Sequence, residues 1–142
     1  MKPSAERLIA LLTHIQDHIV ETLFFVEGMS FNEFIGDSKV NKAIYKGVLH
    51  NFCIIGEVSR LIKKDFSNFL ESHLEMPWVA MAQTRNRVLH GYDTVKPKII
   101  WEAVKNDFPQ VLALLPGLID SVSAPASYLD DDNHNEDDGP RP

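Results

Sequence analysis

Between Ser4 and Val26 the apolar residues Leu8, Leu11, Leu12, Ile15, Ile19, Leu23 and Val26 recur at steps of three and four. That spacing lines one face of a helix, because residues three and four apart are neighbours on successive turns. Ser4 is suited to cap the first amides and Gly28 to end the helix. A second stretch, opening at Asp37 or Ser38, repeats the pattern through Val40, Ile44, Val48, Phe52, Ile55 and Ile62 to about Lys64. Nothing in the chain reads as the two-residue alternation of strands. Two long amphipathic helices joined by a short link should pack antiparallel, so the expected fold is an all-α bundle.

Shorter elements fill in around them. Ser30-Phe31-Asn32-Glu33 reads as a capping box, in which Ser30 and Glu33 satisfy each other's amides, and Gly36 stops the turn it starts. Phe66, Phe69 and Leu70 share a face behind Ser67 and Asn68, which predicts another short helix within Asp65 to Leu74. Pro77 suits the first turn of a helix that Gly91 would end. Pro97 restarts a helix carrying Ile100, Val104, Phe108, Val111 and Leu115, which Pro109 and then Pro116-Gly117 are expected to kink or end. Beyond about Ser123 the chain turns to Ser, Pro, Asn, Asp and Gly, too poor in apolar residues to offset ordering entropy. The expected organisation is a helical domain over residues 1–122 and an acidic, disordered tail over 123–142.

A length of 142 residues with 44% hydrophobic residues is enough for one core without metal or disulfide staples. Cys53 is the only cysteine, so no intramolecular disulfide can form, and a reducing cytoplasm is the expected compartment. Its expected role is that of a small buried apolar residue. His14, Gln16, Asp17 and His18 interrupt the N-terminal stretch, which therefore lacks the apolar region of a signal peptide, and no run is expected to reach the length of a membrane span. The formal net charge is -6, but the tail from Ser123 holds Asp130, Asp131, Asp132, Glu136, Asp137 and Asp138 against Arg141 alone. The body is thus nearly neutral, and RNA remains a possible partner if bases cluster, as Lys96 and Lys98 near Arg85 and Arg87 would allow.

The segment Arg85-Asn86-Arg87-Val88-Leu89-His90-Gly91-Tyr92 carries the chemistry. On a helix Asn86 and His90 are separated by about 400°, nearly in line, whereas Arg85 lies about 140° from His90. Arg85 must therefore reach around, or the last turn must unwind before Gly91. A histidine titrates near neutral pH and an arginine is a fixed cation suited to bidentate contact with phosphate. These are the parts of metal-free RNA cleavage: the imidazole deprotonates the ribose 2′-hydroxyl or protonates the leaving oxygen, and the guanidinium stabilises charge on the phosphorane-like transition state. Asn86 could orient the histidine or the phosphate. Taken alone, the same residues read more readily as a helix-terminal cation beside a surface arginine than as a catalytic pair.

The ordered set of motifs resembles the HepT-type branch of the HEPN domain families, from about Leu8 to Leu115. Its Arg-x4-His-x-Tyr motif matches Arg85, His90 and Tyr92, with Asn86 and Gly91 as its usual fillers. Ile54-Ile55-Gly56-Glu57 is similar to the family's Ile-Gly-Glu run, Pro77-Trp78 to its Pro-Trp entry, and Trp101 to a tryptophan of the following helix. The resemblance implies a HEPN-type helical bundle that homodimerises with the two motif segments meeting in a cleft. It implies endoribonuclease activity resting on Arg85 and His90, without cofactor. It further implies a toxin–antitoxin pairing with a MntA-type nucleotidyltransferase, which would silence the toxin by adding AMP to Tyr92. Val58 stands where the family often has Ala, and the acidic tail is outside its pattern.

Other residues have blander readings. His14 and His18 are four apart, a spacing that could ligate a metal, but no Glu-x-x-His completes it, and both are expected as helix-surface residues. His50 and His73 lack a paired spacing. Glu57 is an acid on a packed face beside Gly56, which permits close helix approach, and it is expected to pair with Arg85 or Arg87 across the bundle in a supporting role. Two functions follow. One is a metal-independent endoribonuclease acting on RNA, with no membrane partner. The other is a non-catalytic helical subunit that binds nucleotide, or a nucleotidyltransferase, through the same Arg85 and His90.

Overall fold

The computed structural model describes residues 4–90 and 95–123. Among them the chain forms α1 (Ala5–Phe25), α2 (Phe31–Phe34), α3 (Lys39–Asp65), α4 (Ser67–Ser72), α5 (Trp78–His90), α6 (Pro97–Glu102), a π-helical turn (Ala103–Asp107) and α7 (Phe108–Ser123), with no strand. The all-α expectation holds. Gly91, Tyr92 and the tail beyond Ser123 lie outside the described residues.

The caps form as the sequence indicates. Ser4 accepts from the Arg7 amide at 3.1 Å, and Gly28 takes the left-handed φ of 74° that ends α1. The Ser30–Glu33 capping box is complete, and Ser38 caps α3 by accepting from the Asn41 amide at 3.0 Å. α1 and α3 run antiparallel. Arg7, at the start of α1, pairs with Asp65 at the end of α3 (2.9 Å), while near the other end Asn51 donates to Thr22 and Glu21. Leu8, Leu12, Ile15 and Ile19 are fully buried on α1, which packs on α3 and α7. Removing those four side chains from water contributes roughly 6–12 kcal/mol.

Three expectations need correction. α1 is long and apolar enough, by length and composition, to cross a membrane; part of that apolar character is the stripe it buries against α3 and α7, and part is exposed, as at Val20 and Phe24. Val40 is 66% exposed rather than part of the packed face. Gly47 sits at the level of the Phe25 ring, so the first two turns of α3 extend past α1 and are covered mainly by α2, through Phe34 on Tyr45. Finally, Pro116-Gly117 does not stop the last helix, which runs on to Ser123. The proline costs about 3 kcal/mol there, and burial of Leu115, Leu118 and Val122 offsets it.

Pro109 has a different outcome. Its ring and missing amide conflict with an α-turn, and the preceding residues widen into the π turn, where the Phe108 amide donates five residues back to Ala103. Trp101, two residues before that turn, packs on Phe31 and Phe34 of α2 with Lys105 over its ring. These contacts fix α6 and the π turn beside α5, the helix of the candidate site.

Candidate active site

α5 is positioned by its entry and by one glycine. Trp78 is buried, and its indole nitrogen donates to the His73 carbonyl at 2.9 Å, closing the link from α4. Halfway along, α5 lies on Gly56 of α3 so closely that a β-carbon there would stand 2.5 Å from the Arg85 β-carbon and 3.0 Å from the Met81 carbonyl. Only glycine permits this approach, and it sets the Arg85 backbone directly over α3.

The neighbour of that glycine then holds the side chain. Glu57 pairs with Arg85 Nε at 3.2 Å, and Arg60 donates to the same carboxylate through Nε (3.1 Å) and Nη2 (2.7 Å). One acid thus gathers two guanidinium groups. The hydrogen bond from Arg60, helped by the charges of Arg60 and Arg85, holds the Glu57 carboxyl below its ordinary pKa. Cys53, one turn earlier on α3, is half-buried; burial raises its thiol pKa and Arg85 opposes the rise. A thiol held protonated is a poor nucleophile, in keeping with the inert role expected for it.

Arg85 and Asn86 are therefore not brought together. Arg85 faces α3, whereas exposed Asn86 lines a groove of about 930 Å³ between α5 and the α6–π-turn segment. His90 closes α5 one turn after Asn86, in register with Asn86 and Gln83 rather than with Arg85. Its side chain, like Tyr92, lies outside the described part. Lys96 lines the groove with Asn86, and Arg60 joins Arg85 on the Glu57 carboxylate.

Arg60 could have been found from its position three residues after Glu57, a helical neighbour of opposite charge. Gln83 and Asn106, which also line the groove, had no sequence signal, because Asn106 sits in the π turn. Elsewhere, His18 Nδ1 lies 2.8 Å from the His14 carbonyl and the two rings meet edge to face, a local pairing within α1.

The family model described as ribonuclease HepT-like matches residues 13–116, a stretch holding Gly56, Glu57, Arg60, Arg85 and His90. The chain belongs to the HepT-like ribonuclease family. Among its relatives is a protein of Methanocaldococcus jannaschii whose name proposes an RNase, 29% identical over 113 residues, covering 80% of this chain and 88% of its own. A second from the same organism, similarly named, is 33% identical over 102 residues, covering 72% and 87%. A "Probable ribonuclease HepT" of Thermococcus cleftensis is 33% identical over 87 residues, covering 61% and 73%. No solved structure matches the chain. As a HepT-like ribonuclease the protein is an RNA-cleaving enzyme.

Proposed function

We propose that this HepT-like ribonuclease is a metal-independent endoribonuclease toxin of the cytoplasm, with Arg85 and His90 as its catalytic pair. The observation that carries the reading is the seat of Arg85: a glycine contact and a carboxylate on Nε fix its direction, while its terminal nitrogens suit a phosphate. His90 removes the proton of a ribose 2′-hydroxyl, whose oxygen attacks the adjacent phosphorus. The bond to the 5′-oxygen breaks, that oxygen takes up a proton, and a 2′,3′-cyclic phosphate remains. Arg85 stabilises the charge on the equatorial oxygens as they become phosphorane-like.

The opposed directions of Arg85 and the Asn86–His90 register support a homodimer, in which a second copy sets its His90 against Arg85 across the interface. Tyr92, two residues past His90, would be the control point: a nucleotidyltransferase antitoxin of the MntA type adding AMP there puts a phosphate and a bulky base where RNA phosphate must enter. Purified protein with EDTA present should cut RNA and leave cyclic phosphate ends, and Arg85→Ala or His90→Ala should lower kcat by about 100-fold or more. Undiminished cleavage in both variants would place the chemistry elsewhere. Co-expression with the nucleotidyltransferase should add mass in AMP steps to the Tyr92 peptide; protein inhibited but unmodified would mean neutralisation by contact.

A further inference from the structure

The groove beside α5 has a composition that the cleavage chemistry does not account for. Its floor is apolar, with Phe52 and Ile100 both buried. Its walls carry three side-chain amides, Gln83 and Asn86 from α5 and Asn106 from the π turn, all exposed to solvent. Lys96 also lines it. We propose that this groove is a nucleotide subsite, seating one base of single-stranded RNA adjacent to the cleaved phosphate; the proposal rests on the ribonuclease reading above.

The chemistry narrows the occupant. An amide offers both donors and an acceptor, which is what the edge of a nucleobase presents in return, while the flat faces of a base suit an apolar floor. A site for phosphate alone would be lined by cations, and here there is a single lysine with Glu102 and Asp107 also present. That balance admits one phosphate at Lys96 and discourages a second beside the two carboxylates. The volume of about 930 Å³ lies at the upper end of small-ligand sites and accommodates a nucleotide.

Continuity with the candidate active site comes from α5 itself. Gln83, Asn86 and His90 follow one another at three- and four-residue steps, so the groove and the proposed catalytic histidine occupy one helix face. The π turn supplies the opposite wall. Its wider winding, closed by the Phe108 amide on Ala103, brings Asn106 and Asp107 to line the groove. Such turns are uncommon and tend to accompany functional sites.

Two readouts test the proposal: cleavage of short RNAs varied one base at a time, and fluorescence anisotropy of a 2′-O-methyl oligomer that cannot be cut. The double variant Gln83→Ala/Asn106→Ala should weaken oligomer binding by about tenfold, raise KM more than it lowers kcat, and level the base preference beside the cut. Both residues are exposed, so the helical circular dichroism and Tm should stay as in the parent. Unchanged binding and unchanged base preference would overturn the subsite while leaving the ribonuclease reading in place. Groove-dependent binding without any cleavage by the parent would uphold the subsite and sink the ribonuclease mechanism.

Discussion

Arg85 and Asn86 are adjacent in sequence and opposite in almost every physical respect. Arg85 is pressed onto Gly56, shares the Glu57 carboxylate with Arg60, and belongs to the tightest helix contact around the site. Asn86 is exposed, and it borders open space between α5 and the π turn. One side of α5 is thus built to hold a charge in one direction, and the other to leave room. The difference shows how a single helix turn can divide a cleavage motif between a rigid cationic face and an accessible one.

The largest effect should come from changing the kind of cation. Arg85→Lys keeps the charge but not the fork that meets Glu57 through Nε while presenting its other nitrogens to phosphate, and kcat should fall about 100-fold with little change in Tm. Full activity in that variant would mean that charge alone matters and the clamp does not. Gly56→Ala comes next. A methyl group gains up to about 1 kcal/mol of helix propensity but meets Arg85 and Met81 backbone atoms, and overpacking of that kind costs roughly 1–3 kcal/mol. A net loss of about 1–2 kcal/mol and a Tm lower by several degrees are expected, with kcat reduced because Arg85 is displaced. A more stable variant would show that the helices separate freely at this point.

Glu57→Gln should have a small effect on stability, about a degree or two in Tm, because the ion pairs are open to solvent. Its signature is in pH. A carboxyl whose folded pKa is depressed contributes stability above its ordinary value of 4.5, lost as pH falls through the lower folded value. The parent should therefore lose Tm on acidification below the ordinary carboxylate range more steeply than Glu57→Gln. Parallel acid profiles would remove Glu57 from the account of how Arg85 is held.

Much of this architecture was legible beforehand because local chemistry writes it. Ser4, Ser30 and Ser38 cap where a side-chain oxygen can meet free amides, and the stripe from Leu8 to Ile19 could only be a helix face. Gly56-Glu57 announced both a close approach and a partner for Arg85. What stayed hidden depends on tertiary contacts. Pro116 continues α7 because Leu115, Leu118 and Val122 are buried, and Pro109 is absorbed by a π turn that no local pattern distinguishes from a break. The groove followed from that turn, so Gln83 and Asn106 gave no sign of their shared setting.

The separation of Arg85 from the Asn86–His90 register leads to one decisive measurement. Arg85→Ala and His90→Ala proteins, each inactive alone, should be mixed, allowed to exchange subunits, and assayed for RNA cleavage. If two copies complete each other, the mixed dimer contains one intact pairing of Arg85 with His90, and a substantial fraction of parental activity should return. A mixture that forms mixed dimers yet stays inactive would contradict the division of the site between the two sides of α5.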